Sequence, residues 1–200
     1  MSETSLLSFI EARAARGLIG LEEAPETLEE AYAISAGMMA ALGQEPGGWK
    51  VGYAPDKTPV ASPMYASGFL NSGESWSMRS DRPMIPEIEI AVRLAHDLPP
   101  NPRQPYTRAD IEEAAAEYLI GIEIIERRIP MQGAPFPMNL ADDLGNVGYV
   151  VGPGVRDFRK LDLANLQCRF WMNGTLAVDR RGGHHSGDPL KPMIDWANAQ

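Results

Sequence analysis

Apolar residues in the first forty positions fall on a helical period. Leu6, Leu7, Ile10, Ala14 and Leu18 recur at near-helical spacing, as do Leu28, Ala31, Ile34, Met38 and Leu42, which predicts two helices within residues 5–42. Gly17 and Gly20 separate them, and Pro25 followed by Thr27 marks the second start. The pattern then breaks. Gly43 to Pro83 holds Pro46-Gly47-Gly48, Pro55, Pro59, Pro63, Gly68 and Gly73, so this stretch is expected to be loop-rich, with one short strand at Trp49-Lys50-Val51-Gly52. An irregular segment of that length inside a compact domain points to function or to poor order.

The period becomes two at residues 84–95, Met-Ile-Pro-Glu-Ile-Glu-Ile-Ala-Val-Arg-Leu-Ala, which reads as a strand. Thr107, with Asp110 three residues on, resembles a capping box, and a helix is expected from there to about Tyr118. Residues 119–128, Leu-Ile-Gly-Ile-Glu-Ile-Ile-Glu-Arg-Arg, are apolar enough for a strand buried on both faces. A Met/Pro/Gly loop over 130–146 leads into Ala141-Asp142-Asp143. Further strands are expected at 147–151, 166–172 and 175–179, the last two joined by the hairpin signal Asn173-Gly174. A final helix starts near Asp188-Pro189. With no repeat, low-complexity tract or linker, residues 1–200 read as a single domain mixing α and β.

Composition narrows the partners. The 200 residues carry 18 Lys+Arg and 27 Asp+Glu, a formal net charge of −9, with 44% hydrophobic and 22% charged residues. That is a globular balance, and its acidity argues against nucleic acid and anionic membranes as main partners. An anionic small molecule stays open, because one divalent cation can invert the local field. The single Cys168 cannot form an intrachain disulfide and reads as a small core residue on a strand. No apolar run approaches the roughly 18 residues of a membrane span. The acidic start is unlike a secretory signal, so the cytoplasm is the expected address.

Carboxylates on strands are the candidate chemistry. Glu87 and Glu89 project from one face of their strand, roughly 6.6 Å apart at the backbone. They are either the solvated face of a half-buried strand or a pair that needs a cation. Glu123 lies in the apolar run 119–125, where an uncompensated carboxylate costs several kcal/mol. Arg127 or Arg128 could neutralise it; alternatively, Glu87, Glu89 and Glu123 converge on one hard cation. Three oxygens without a His/Cys cluster suit Mg²⁺ or Mn²⁺ rather than Zn²⁺. Lys50, flanked by glycines and by Trp49, is either solvated or a proton carrier beside such a site. Asp142 and Asp143 are helix caps or acids supporting a site. His184-His185 on a glycine loop and His96 after a strand read as surface residues. No nucleophile elbow, dinucleotide fingerprint or phosphate loop is present.

Several short segments, in order, resemble the 2-keto-4-pentenoate hydratase / 4-oxalocrotonate decarboxylase family of the fumarylacetoacetase-like superfamily. They are Gly48-Trp49-Lys50-Val51-Gly52, Pro86-Glu87-Ile88-Glu89-Ile90-Ala91, Gly121 to Ile129, Ala141-Asp142-Asp143, Met172-Asn173-Gly174, Gly187-Asp188-Pro189-Leu190 and Asp195-Trp196-Ala197-Asn198. The resemblance implies an α+β fold, a fumarylacetoacetase-like mixed β-roll over 44–200 with peripheral helices and a helical N-terminal segment over 1–43. It implies a divalent metal, Mg²⁺ or Mn²⁺, on Glu87, Glu89 and Glu123, with Lys50 and Asp142 as catalytic residues. The implied substrate is a small 2-oxo or 2-hydroxydienoate acid from aromatic-ring catabolism, and the implied reaction is hydration to a 4-hydroxy-2-oxo acid. A decarboxylase of the same family is the second expectation, and a noncatalytic metal-binding subunit the third. An acylpyruvate hydrolase fits less well, since the N-terminal third has no histidine to activate water. A homo-oligomer is expected, with pairing to a decarboxylase or hydratase subunit as an option.

The departures from the family pattern are specific. Glu126 and Arg127 stand where Asp and Ser are usual, and Asp143 stands for Asn. The stretch between Gly52 and Gly68 lacks an acidic-Pro-Asp pattern. Gln200 falls within the segment resembling the penultimate family helix, so the resemblance implies a further quarter of length carrying closing strands and a Gly-Ser/Thr loop.

Overall fold

A computed structural model describes residues 3–15, 17–75, 83–130 and 132–200. The N-terminal apolar pattern folds as helices α1 (Glu3–Ala15) and α2 (Leu28–Ala41). Thr27 caps α2: its side-chain oxygen accepts from the Glu30 N–H at 3.2 Å, satisfying one of the N–H groups a helix start leaves unpaired.

The stretch after Gly43 holds the strand expected at 49–52 but far less loop than its prolines and glycines predict. It forms β1 (Pro46–Tyr53), β2 (Pro59–Tyr65) and the short β3 (Phe69–Asn71); residues 76–82 lie outside the described part. Among the described residues β1 and β2 pair only with each other, antiparallel, with Trp49 opposite Pro63 and Tyr53 opposite Pro59. Such a two-stranded ribbon has free edges, and proline, lacking an N–H, is tolerated there. Burial of β2 on both faces makes up for its poor β-formers.

β4 (Met84–Leu94), β5 (Ala115–Glu126) and β6 (Asn146–Val155) join β3 in a four-stranded sheet, order β3-β6-β5-β4. Only β3 and β6 run parallel. Pro86 again sits on an edge strand. Helix α3 (Arg108–Ala114) opens with the expected capping box at Thr107 and Asp110. It ends four residues earlier than its helical pattern predicts, because Ala115 to Tyr118 extend β5 along β4, with Tyr118 opposite Val92. Backbone pairing with a long neighbour overrides the high helix propensity of Ala-Ala-Glu. The expected 130–146 loop contains a short helix, α4 (Phe136–Ala141). β7 (Gln167–Met172) and β8 (Thr175–Arg181) form the predicted hairpin. Its turn residues Asn173 and Gly174 have φ of 51° and 78°, the left-handed pair that a type I′ turn requires. Cys168 is only partly buried. α5 (Lys191–Asn198) packs on β1 and β2. Among the described residues no helix is long and apolar enough to cross a membrane.

Phe9, Ala12, Ile34 and Met38 of the helices share one apolar core with Val60, Met138 and Leu140. Between this core and the sheet lies a layer of buried charge. Arg128, fully buried, donates from Nε to Asp142 Oδ1 at 2.7 Å and lies 3.4 Å from Glu126 Oε2. Arg13 donates to Asp143 Oδ2 at 3.0 Å, and Ser35 Oγ donates to Asp143 Oδ1 at 2.5 Å. Removing one partner of a buried pair strands the other charge, at a cost of about 3–5 kcal/mol. Arg128→Ala should therefore lower the unfolding free energy by about that amount in denaturant titration; a loss below about 1 kcal/mol would show that Asp142 is compensated elsewhere.

Candidate metal centre

Strand register assembles the site. Glu87 on β4 is directly opposite Glu123 on β5, and Glu89 is opposite Gly121. On the other side of β5, Tyr149 of β6 is opposite Glu123, and Phe69 of β3 is opposite Tyr149. Residues in register on neighbouring strands share a face. Phe69, Tyr149, Glu123 and Glu87 therefore form one row across the sheet, with Glu89 two residues along on the same face. One carboxylate oxygen from each of Glu87, Glu89 and Glu123 lies within 4.8 Å of the other two.

Lys50 reaches this group from β1. Its Nζ donates to Glu123 Oε2 and, at 2.8 Å, to Glu87 Oε2, and it stands 3.5 Å from Glu89 Oε1. Along β1 the side chains alternate, so Trp49 is the exposed member, at 55%, and Lys50 the largely buried one. The acids are graded in depth: Glu123 is fully buried while the Glu87 side chain is 46% exposed. The cluster thus has a buried floor and an open rim.

Glu123 is held at both oxygens. Oε2 faces Lys50, and Oε1 accepts from Asn146 Nδ2 at 2.9 Å. The Asn146 carbonyl in turn accepts from Arg13 Nη2 at 2.9 Å and from Arg128 Nη2 at 3.5 Å. Neither arginine of the Arg127-Arg128 pair neutralises Glu123. Arg127 is exposed, and Arg128 is engaged by Asp142 and Glu126.

Asp142 is not among the converging carboxylates. Its side chain pairs with Arg128, one layer behind Glu123 and linked to it through Arg128 and Asn146. Asp143 pairs with Arg13 and Ser35, and its φ of 50° is left-handed, a conformation Asp and Asn accept more readily than most residues. His184 and His185 lie against each other, ring centroids 4.4 Å apart and planes tilted by 30°, in the loop after β8. Two participants had no sequence signal: Asn146, one polar residue among many, and Tyr149, whose place beside Glu123 depends on register alone.

Electrostatics leave the cluster short of positive charge. Three carboxylates face a single ammonium, so their formal charges sum to −2 when all three acids are ionised. Burial pushes Glu89 up to about 7, with Glu123 and Glu87 adding to the rise and Lys50 opposing it. On Lys50, burial lowers the pKa, but the Glu123 and Glu89 charges and the hydrogen bonds to Glu123 and Glu87 raise it above its usual value. Burial likewise raises Tyr149, and the negative Glu89 and Glu123 reinforce it. The donor set of three carboxylates, one of them fully buried, fits a hard divalent cation in both oxygen chemistry and charge.

No family model and no curated protein matches the chain. Solved structures do. Over its whole length the chain superposes on 4-oxalocrotonate decarboxylase from Pseudomonas putida G7 complexed with calcium and acetate, with a TM-score of 0.78, 19% identity and 81% of that chain covered. The same enzyme complexed with magnesium and adipate gives a TM-score of 0.71 at 18% identity, again covering 81% of that chain. At this identity the likeness is one of fold, and it bears out the fumarylacetoacetase-like α+β architecture.

A carboxyl whose pKa is raised from 4.5 to about 7 binds its proton more tightly folded than unfolded. Its contribution is full at low pH and is lost as pH rises through the folded value. In chelator-treated protein, stability should therefore fall between pH 5 and 8, and Glu89→Gln should make that fall shallower in thermal unfolding. Asp143, raised to about 6 mainly by burial, contributes equally to both proteins. Parallel pH profiles would contradict the assigned protonation of Glu89.

Proposed function

We propose that this chain belongs to the 2-keto-4-pentenoate hydratase / 4-oxalocrotonate decarboxylase family. In this reading it is a divalent-metal-dependent lyase acting on a small 2-hydroxydienoate or 2-oxo acid. The observation that carries it is the convergence of Glu87, Glu89 and Glu123 around the single ammonium of Lys50. The motifs quoted above and the shared fold with a decarboxylase complexed with calcium or magnesium support it. Mg²⁺ or Mn²⁺ on the three carboxylates would supply Lewis-acid stabilisation to a substrate carboxylate and its 2-oxygen.

The chain's own groups have definable tasks. Glu123, fixed by Asn146, is the rigid ligand; Glu87, at the exposed rim, is the adaptable one. Lys50 holds a proton at Nζ because carboxylates surround it. Once those carboxylates are neutralised, burial becomes the dominant influence, and burial lowers a lysine's pKa. The ammonium then becomes a proton carrier within reach of the ligand. Asp142 acts from behind, holding Arg128 and through it the Asn146 carbonyl.

Addition of water at the distal double bond of the dienoate is the reaction proposed first. Decarboxylation of an oxo-diacid is the second reading, supported by the fold shared with a 4-oxalocrotonate decarboxylase, and it uses the same enolate stabilisation. The purified chain should consume 2-hydroxypenta-2,4-dienoate, followed as loss of diene absorbance, only with Mg²⁺ or Mn²⁺ present. Lys50→Met should lower kcat by about 10²–10⁴, and Glu123→Gln should abolish turnover while circular dichroism stays unchanged. Metal-dependent CO₂ release from an oxo-diacid, without dienoate loss, would select the decarboxylase. Metal binding without either reaction would leave the noncatalytic subunit.

A further inference from the structure

The Tyr149 hydroxyl is buried and has no hydrogen-bond partner among the described residues. The residue is only 3% exposed. Leaving a buried donor unpaired costs about 1–3 kcal/mol, so an orphan in a native fold asks for a cause. This one does not sit in an indifferent place. Tyr149 is in register with Glu123, and its ring leans along the sheet over Gly121, the residue opposite Glu89. A Cβ at position 121 would fall on the phenol oxygen, so only glycine there lets the hydroxyl reach the level of Glu89. From the other side, Phe69 packs on the Tyr149 ring at a centroid separation of 5.6 Å and fixes its tilt. Sequence and packing together hold a proton donor at the edge of the carboxylate cluster without giving it an acceptor among the described residues.

The hydroxyls of Tyr118 and Tyr65 are buried too, but their settings differ. Tyr118 stacks on Phe158 inside an apolar cluster, with ring centroids 4.0 Å apart. Tyr65 lies under the Arg13 guanidinium, 4.1 Å from its ring centroid, in the charged layer behind the site. Of these three tyrosines, only Tyr149 shares the face of Glu87, Glu89 and Glu123.

We propose that Tyr149 is a ligand-contacting residue, whose hydroxyl donates a hydrogen bond to an anionic oxygen of the 2-oxo acid bound at the three carboxylates. The inference rests on the metal-dependent reading above and adds to it the residue that recognises the guest. Tyr149 is a donor to the anion and takes no part in holding the cation. It therefore separates ligand affinity from metal affinity.

Oxalate, a planar dianion resembling a 2-oxo acid enolate that cannot turn over, is the probe. Its binding is measured by calorimetry with free Mg²⁺ in excess, alongside a separate Mg²⁺ titration. Tyr149→Phe keeps the ring on Phe69 and removes only the hydroxyl. Oxalate affinity should fall about tenfold to hundredfold, the range for a hydrogen bond to a charged group, while Mg²⁺ affinity stays within about twofold. Gly121→Ala, which displaces the phenol oxygen, should reproduce the oxalate loss in a protein whose unfolding temperature shows it folded. Unchanged oxalate affinity in Tyr149→Phe would overturn the proposal, as would an equal loss of Mg²⁺ affinity, which would make Tyr149 a support for the ligands. If the parent protein binds Mg²⁺ but no oxalate, the guest assignment fails. If it binds no Mg²⁺, the metal-dependent reading fails and this inference with it.

Discussion

A carboxylate with no exposure to water is the constraint around which this molecule is arranged. Glu123 sits in the middle of a sheet, in a run of Ile and Leu, where an unpaired charge would cost several kcal/mol. The fold compensates it twice, with the Lys50 ammonium on one oxygen and the Asn146 amide on the other. Lys50 cannot satisfy one acid alone, because register puts Glu87 directly opposite Glu123 and carries Glu89 to the same face. Crowding three acids around one ammonium leaves negative charge that only a proton or a further cation can balance. The elevated Glu89 is the first of these solutions; a bound divalent ion is the second.

The rest of the architecture keeps that crowding in place. Asn146 is fixed by hydrogen bonds from Arg13 and Arg128 to its carbonyl. Arg13 comes from α1 and Arg128 from just beyond β5, so the N-terminal helices are tied through buried charge to the back of the site. Asp142 and Asp143 hold those two arginines. Buried ion pairs of this kind add little net stability compared with apolar packing, but they impose one arrangement on the groups they join. Here they set the orientation of the one carboxylate that cannot move toward solvent.

The sheet acids were legible in the chain because a charged residue stands out against an apolar alternation. Glu87 and Glu89 announce their shared face by spacing, and Glu123 announces its burial by its neighbours. Lys50 was singled out by its glycines, though the sequence could not show that it would stand among all three acids. Asn146 and Tyr149 were not visible: what makes them matter is which residue lies across the sheet, and register is a tertiary property. Of the β1–β2 ribbon, the centre of β1 at 49–52 is legible, and β2 is hidden for a related reason. Pro59 and Pro63 read as loop residues unless the strand is known to be an edge. The end of α3 is not legible because Ala115 and Ala116 carry helix propensity, and pairing with β4 outweighs it.

The most direct measurement is anomalous scattering from crystals grown with Mn²⁺. One strong peak is expected within coordinating distance of Glu87, Glu89 and Glu123 together, lost in Glu123→Gln. A Mn²⁺-soaked crystal with no peak there, and with Lys50 still neutralising Glu123 and Glu87, would show that the three acids are a structural salt-bridge cluster and not a metal centre.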